Sequence, residues 1–469
     1  MVAIVVTTGV AGIAFAHFGG ELIPVRDGLG YDGARYAALV KHPHLVFDGD
    51  VSHHRIQRVA PSLLVRVILE LFDLAQSDTA IILAFQFLNI TVAAGACLLW
   101  AGVARRWALD KVATWFAFIA LFVNYAMAKF PTYYPILTDT SGFALGVALL
   151  WAFVAKKPAI MLGVALLAAF TWPVVLYAAL ILFIYSHSDR MVALSRPQWW
   201  RPIVISLATV ATSIYIATER TDMINNVVLN HVVFWLVAPS SVLLGSYIYL
   251  GMRPLLDRIT VRELVRSINW LALAITVLML LAVASVHRAY SVATEQTLQL
   301  TLANILVEAI QKPAIFFVSA FGYFGPAILV VAAVWWKAVR YIADEGIGMI
   351  VVMSGFVLLS ITSESRLLMS VWPFFVAYTA RAIDAASVAR SQIIAFVVLS
   401  VLSSRLWLPL QLGHVDDSPG WLYRASIGWR MPLSTYLLMT VAWLVVGVGM
   451  WVFCIAPLRR SLSEEGAAA

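Results

Sequence analysis

The sequence predicts an all-α membrane protein, a polytopic bundle of transmembrane helices, and three observations predict it. Of the 469 residues, 62% are hydrophobic and 12% are charged, whereas soluble domains average about 45–50% and about 25%. Apolar segments long enough for helices that cross a hydrocarbon core about 30 Å thick recur along the chain. The 17 Trp and 16 Tyr residues suit rings that lie at two membrane–water interfaces.

The apolar segments predict about fourteen spans, within a range of about 12 to 14, because a spanning helix needs about 20 apolar residues and fewer inside a bundle. They lie near 3–18, 82–103, 111–127, 138–155, 158–170, 172–186, 200–217, 230–250, 268–285, 314–336, 347–361, 369–385, 391–408 and 434–455. Residues 1–18 lack a basic region and a small-residue cleavage site, so we expect a retained first span. The short segments 158–170 and 172–186 are either two spans or one re-entrant hairpin.

Lysine and arginine clusters predict the orientation of the spans, because short cytoplasmic loops carry an excess of both residues. Every second connection carries a cluster. The clusters are Arg105, Arg106 and Lys111; Lys156 and Lys157; Arg190, Arg196 and Arg201; Arg253, Arg258, Arg262 and Arg266; Lys337 and Arg340; Arg381 and Arg390; and Arg459 and Arg460. Both termini are therefore predicted to be cytoplasmic. We expect one membrane domain over 1–460, with a long first extracytoplasmic loop over 19–76, and a cytoplasmic tail over 461–469.

The charge and the cysteines exclude other classes of protein. The formal net charge is +7, but the basic residues lie in the short clusters between apolar segments that indicate topology. No nucleic acid partner is therefore predicted. Cys97 and Cys454 both lie in apolar runs, which leaves neither a disulfide framework nor a cysteine metal site.

The first loop concentrates residues that can do chemistry. Carboxylates accept a proton from a hydroxyl group, and arginines bind phosphate oxygens through two hydrogen bonds. The loop carries the acids Asp27, Asp32, Asp48 and Asp50, the arginines Arg55 and Arg58, and the histidines His42, His44, His53 and His54. The segment 33–46 has one apolar side and is predicted to lie along the interface as an amphipathic helix.

A simpler interpretation of this loop stays open. A long exposed loop is commonly polar, with solvated charges and with glycines in its turns. Asp32, however, lies between Gly30-Tyr31 and Gly33, where glycines let the backbone approach a ligand closely. The spacing of the four histidines fits no familiar zinc pattern, so no metal is predicted.

Other predicted extracytoplasmic connections add polar residues near the ends of spans. These residues are Lys129, Tyr133, Tyr134 and Asp139 before the fourth span, His287 and Arg288 after the ninth, Glu308 and Lys312 beyond them, and Trp421 in the last loop. Glu364 and Arg366 occupy a short turn between two apolar segments. Charges at that depth are costly unless they are paired or hydrated, which makes them functional candidates or a structural ion pair.

Four short motifs resemble those of the GT-C superfamily of integral membrane glycosyltransferases. They are Gly30-Tyr31-Asp32-Gly33-x-x-Tyr36, Arg55-x-Gln57-Arg58-x-x-Pro61, Thr138-Asp139 and Glu364-x-Arg366. The resemblance, to an uncharacterised bacterial branch, implies an enzyme that moves a sugar from a polyprenyl-phosphate donor to an envelope glycan or lipid acceptor. It implies a bacterial plasma-membrane protein with an extracytoplasmic active site, in contact with membrane lipids and without a cofactor.

The resemblance also implies roles for individual residues. Asp32 is the leading general base, with Asp27, Asp48 and Asp50 as rivals, in a single inverting displacement. The residues implied to bind the phosphate are Arg58, Arg288 and Arg366, with Arg55 and Lys312 as second choices. The residues implied to bind substrate are Tyr36, Tyr133, Asp139, His287, Glu364 and Trp421.

A polytopic transporter or lipid flippase is the main alternative function. Carriers bind near the midplane with broken helices and intramembrane charges, whereas the acidic residues here lie mostly outside the apolar segments. Another membrane transferase that moves acyl or phosphoryl groups is a second alternative, with His17 or His231 as the histidine of an acyltransferase. An inactive scaffold that keeps the fold is a third.

Overall fold

The computed structural model describes residues 20–49, 51–186, 198–224, 226–230, 232–292, 298–386, 388–411, 420–424 and 427–456. These residues form helices and turns, with two isolated bridges and no β-strand among them. The predicted all-α class is confirmed for this part of the chain. The predicted span at 3–18, the tail at 461–469 and Asp50 lie outside the described residues.

The first loop is itself helical. Its helices are α1 (Gly33–Lys41), α2 (His44–Phe47), α3 (His53–Ile56) and α4 (Ala60–Leu71). The predicted continuous helix over 33–46 is thus two helices, which is a correction. The physical reason is Pro43, since proline disfavours the helical conformation in the residue before it, and His42 adopts φ −130° and ψ 69°.

The remaining helices follow in chain order. They are α5 (Asp78–Arg106), α6 (Lys111–Phe122), α7 (Tyr125–Ala128), α8 (Phe130–Tyr133), α9 (Asp139–Val154), α10 (Pro158–Ala169), α11 (Pro173–Ile184), α12 (Trp200–Glu219), α13 (Asn226–Leu229) and α14 (Phe234–Leu256). The second half comprises α15 (Val261–Arg266), α16 (Trp270–Ala289), α17 (Leu298–Glu308), α18 (Ile315–Phe324), α19 (Ala327–Asp344), α20 (Ile347–Leu359), α21 (Trp372–Asp384), α22 (Arg390–Ser403), α23 (Trp421–Arg424) and α24 (Leu433–Met450).

Five helices in the described part of the chain are long and apolar enough to cross a membrane. They are α5, α12, α14, α16 and the segment Leu433–Ile455. The number rises to seven if each of two bent pairs is one span, namely Lys111–Phe122 with Tyr125–Tyr133 (66°) and Ile315–Phe324 with Ala327–Asp344 (113°). Five shorter apolar helices of 10–17 residues accompany them. The described part of the chain is therefore helical and contains several helices that could span a membrane.

Local chemistry explains both bends. The Asn124 side chain donates to the carbonyl oxygens of Ala120 (2.8 Å) and Leu121 (3.1 Å) at the end of α6. Its amide oxygen accepts from the backbone N–H of Met127 at 3.0 Å and caps α7. The second bend lies at Pro326, which has no backbone N–H and cannot continue the preceding helix.

The connections between helices meet in two separate groups. Among the connections predicted to be cytoplasmic, Arg381 pairs with Glu345 at 2.7 Å and the Asp110 backbone N–H donates to Asp384 at 2.7 Å. Those predicted to be extracytoplasmic also contact one another, as the first loop does through Val51, whose carbonyl accepts from the Val292 N–H at 3.0 Å. In each case the contact joins residues that are far apart in the sequence or in separate helices.

Candidate functional site

A cavity of about 880 Å³ lies where the predicted extracytoplasmic connections meet. Its wall combines the first loop, Tyr134, Val228, one face of α17, the turn at Glu364–Leu367 and the segment around Trp429. Its charged residues are the arginines Arg26, Arg35, Arg55, Arg58, Arg366 and Arg430 and the carboxylates Asp32, Glu308 and Glu364. Six arginines against three carboxylates make the cavity suitable for an anion.

The Tyr31-Asp32-Gly33 segment enters this cavity because of a close backbone contact. Gly30 has φ +70°, and a Cβ atom at this position would overlap the Tyr134 ring. The Tyr134 hydroxyl oxygen accepts from the backbone N–H of Asp32 at 2.9 Å. Burial raises the pKa of Tyr134, so this hydroxyl keeps its proton. Glycine and tyrosine together hold Asp32 at the first turn of α1, with its side chain on the cavity wall.

Asp32 lies beside the late turn that carries Glu364 and Arg366. One Arg366 Nη atom is 3.9 Å from an Asp32 carboxylate oxygen, and Arg366 Nε pairs with Glu364. Burial lowers the pKa of Arg366, but the charges of Glu364, Asp139 and Asp32 more than offset that effect, and the pKa is raised well above its usual value. Arg366 therefore carries a permanent positive charge next to Asp32.

The turn itself is fixed by buried hydrogen bonds. The Ser363 carbonyl oxygen accepts from the Gly428 N–H at 2.9 Å and from the Ser319 hydroxyl at 2.6 Å. Ser319 also contacts the Ser365 hydroxyl at 2.7 Å. Because α18 and the last loop hold the turn from two sides, Arg366 projects from a rigid support.

Arg58 is the most buried arginine of the cavity wall. Its guanidinium lies 4.6 Å from the centre of the Trp172 ring, and its charge acts on the hydroxyl of Tyr36. Burial raises the pKa of Tyr36, and Arg58 partly offsets this. Burial, followed by the charge of Arg58, lowers the pKa of His54 to about 3. His54 is therefore neutral near pH 7, and the positive charge of this wall comes from arginines.

The structure brings together six of the residues to which the resemblance gives a role. Asp32, Arg55, Arg58, Arg366, Tyr36 and Glu364 all line the cavity. Asp139 is buried at the start of α9, close enough to Arg366 and Arg58 to interact electrostatically. The four motifs of the resemblance therefore converge on one region.

Other indicated residues lie away from the cavity wall. Asp27 and Asp48 are exposed in turns of the first loop, and Arg288 is exposed near the end of α16. His287 is buried, with its ring centre 5.5 Å from that of His53. The Tyr133 ring packs against Tyr423 at 5.5 Å. The Trp421 side chain lies outside the described part of the structure.

Lys312 is buried behind this region. Its Nζ atom has no hydrogen-bond partner among the described residues, and its burial lowers its pKa to about 8. It is not on the cavity wall.

Several residues of the wall were not singled out as site residues by sequence reasoning. Arg26, Arg35, Asn304 and Tyr423 were not named, whereas Tyr134 and Glu308 were named without a role. Arg26 and Arg35 flank the Tyr31-Asp32-Gly33 segment, and their position next to it was an available signal. Asn304 and Glu308 lie on α17, far from that segment in sequence, so only tertiary contacts reveal their place.

Comparison with known proteins adds no information on this site. The chain matches no protein-family model, no curated protein and no solved structure. Among the residues that the structure describes, no group of three or more His, Cys, Asp or Glu side chains is arranged to hold a metal ion.

Proposed function

We propose that this chain is a membrane glycosyltransferase that transfers a sugar from a polyprenyl-phosphate donor to an extracytoplasmic glycan or lipid acceptor. The observation that carries the proposal is the position of Asp32 in an arginine-lined cavity, 3.9 Å from Arg366. A carboxylate suits deprotonation of a hydroxyl, and arginines suit a phosphate. The two groups are needed together when a phosphate is displaced by an alcohol.

The proposed reaction is a single displacement at the anomeric carbon. Asp32 takes the proton of the acceptor hydroxyl as its oxygen forms the new bond to the sugar. The bond between the anomeric carbon and the phosphate oxygen breaks, and the lipid phosphate leaves with the electron pair. Arg58 and Arg366 stabilise the charge that develops on the phosphate, and attack opposite the leaving group inverts the anomeric centre.

Burial supports the assignment of Arg58. Arg58 is 8% exposed, and ion pairs withdrawn from water are much stronger than solvated ones. Asp27 and Asp48, the described rivals for the base, are exposed and off the cavity wall. The proposal therefore selects Asp32 among them.

The proposed topology has about fourteen spans with both termini in the cytoplasm of a bacterial cell. In this topology, the short helices α9, α10, α11, α20, α21 and α22 are further spans beside the long ones. Helices α10 and α11 have 12 residues each, or about 18 Å at 1.5 Å per residue. These two helices are either two short spans, as the count of fourteen takes them, or one re-entrant hairpin, which would lower the count to about twelve.

The test uses the purified full chain in nanodiscs with polyprenyl-phosphate sugars labelled in the sugar. We expect transfer of label to a membrane extract that supplies acceptors, together with release of polyprenyl phosphate. Comparison of Arg58→Ala with Arg288→Ala, at an exposed position, distinguishes the effect of a cavity arginine from the effect of removing any positive charge. No release of polyprenyl phosphate from any of the sugar donors would contradict the proposal.

One observation favours the transporter or flippase alternative. Two helix pairs are bent by 66° and 113°, and broken helices build the binding sites of many carriers. The polar cavity, however, is lined by connections and by α17 rather than by the breaks at Asn124 and Pro326. Movement of a fluorescent polyprenyl phosphate between the leaflets of vesicles, faster than in protein-free vesicles and without sugar transfer, would favour that alternative.

A further inference from the structure

The cavity has two kinds of lining. The arginines come from the first loop, the Glu364–Leu367 turn and the last loop, whereas α17 contributes Thr301, Asn304 and Glu308. These three residues are spaced as one helical face, at i, i+3 and i+7. The whole of α17, LQLTLANILVE, contains no lysine or arginine.

We infer that this face of α17 binds the hydroxyl groups of the donor sugar and so determines which sugar is transferred. The inference rests on the proposed function and adds a specificity site to it. Hydroxyl and amide groups both donate and accept hydrogen bonds, as sugar hydroxyls require. A phosphate group would not bind well to this wall, because Glu308 presents a carboxyl group and α17 carries no cation.

Glu308 is held in position by the same rigid turn that supports Arg366. The Ser363 hydroxyl donates to a Glu308 carboxylate oxygen at 3.1 Å. Ser363 is fixed in turn by Gly428 and Ser319. A side chain whose partners are locked in this way presents a fixed hydrogen-bonding pattern, which is what selection among sugar epimers requires.

The environment of Glu308 favours its acid form. Glu308 is 5% exposed. Burial, followed by the nearby charge of Glu364, raises its pKa well above the usual value. A protonated carboxyl group both donates and accepts a hydrogen bond, whereas the carboxylate only accepts. Glu364 instead pairs with Arg366, so the two neighbouring acids have different roles.

Apolar atoms complete the wall beside these polar groups. Leu300 and Ile305 line the cavity on the same helix, and Val228 lies next to them. Sugar rings present C–H faces as well as hydroxyl edges. A surface that alternates apolar and neutral polar groups therefore fits a sugar ring better than it fits an ion.

The test separates the sugar from the phosphate by binding two lipids to the full chain in nanodiscs. One is polyprenyl phosphate, and the other is the polyprenyl-phosphate hexose, N-acetylhexosamine or pentose that the wild type binds most tightly. We expect Asn304→Ala and Glu308→Ala each to weaken binding of the sugar-carrying lipid about tenfold, the loss of one or two hydrogen bonds. Binding of polyprenyl phosphate itself should change less than about twofold.

Matched variants guard against a folding defect. Glu308→Gln keeps a group that donates and accepts, so we expect it to retain most of the sugar-dependent affinity. Leu302→Ala changes an exposed residue of α17 off the cavity wall and should leave both affinities unchanged. Arg58→Ala should weaken both lipids alike, since both carry the phosphate.

Two results would overturn the inference. Equal weakening of both lipids by Asn304→Ala and Glu308→Ala, or unchanged binding of both, would show that α17 does not contact the sugar. Failure of the wild type to bind either lipid would instead overturn the proposed function, and the specificity site with it.

Discussion

Replacement of Asp32 by asparagine should lower the rate of sugar transfer and leave the stability of the protein nearly unchanged. The change removes the charge and the proton acceptor but keeps the size of the side chain. The Asp32 side chain is 48% exposed, and among the described residues its ion pair is the 3.9 Å contact with Arg366. It also accepts no helix-capping hydrogen bond at α1. An ion pair of this exposure contributes about 0–1 kcal/mol, so we expect the variant to unfold at nearly the wild-type temperature.

Activity should respond very differently. General base catalysis contributes about 10²–10⁴-fold to rate, which corresponds to about 3–5 kcal/mol of transition-state free energy. We therefore expect Asp32→Asn to lower the rate of sugar transfer at least about 100-fold. The assay is release of polyprenyl phosphate from a labelled polyprenyl-phosphate sugar at saturating donor, with thermal unfolding measured on the same preparation.

The chain supplies its own controls for this experiment. Asp27 and Asp48 are acids of the same loop, but both are exposed and neither lines the cavity. Asp27→Asn and Asp48→Asn should keep nearly full activity. A folded Asp32→Asn protein with more than about a tenth of wild-type turnover would refute the assignment, as would an equal loss in either control.

Three further predictions concern the support of the site. Gly30→Ala should be less stable than Gly49→Ala by about 1–3 kcal/mol in thermal unfolding, because both have positive φ but only Gly30 would place a Cβ against Tyr134. Tyr134→Phe should cost about 1 kcal/mol and lower activity by displacing Asp32; unchanged activity would contradict this. Arg58→Ala should raise the Kd for polyprenyl phosphate at least about tenfold, whereas Arg288→Ala should not.

The pattern of apolar residues predicted the helical class and the presence of helices that could span a membrane, whereas five to seven such helices are seen in the described part of the chain against about fourteen predicted spans. The connections predicted to share a side also contact one another, as Arg381 and Glu345 do at one end and Ser363 and Gly428 do at the other. This was predictable because the helical segments and the membrane side of each connection are both inferred from composition, averaged over many residues. The break in the first-loop helix at Pro43 was visible in sequence and was missed.

The composition of the site was predictable only in part. The motif residues Asp32, Arg58 and Arg366 were singled out from sequence, and the structure brings them to one cavity. Asn304 was not indicated and Glu308 was indicated without a role, because no motif in α17 distinguishes these two from its other polar residues, Gln299 and Thr301. Their place depends on how α17 packs relative to the Ser363 turn.

The sequence by itself determined that this chain is helical and of membrane character, and that its reactive residues are concentrated in the connections. Composition and periodicity are enough for those conclusions, since each depends on burial of apolar surface along a helix. Only the tertiary structure decided that Tyr31-Asp32-Gly33, rather than Asp27 or Asp48, faces the arginines. That choice rests on the close contact of Gly30 with Tyr134, which joins residues about a hundred positions apart.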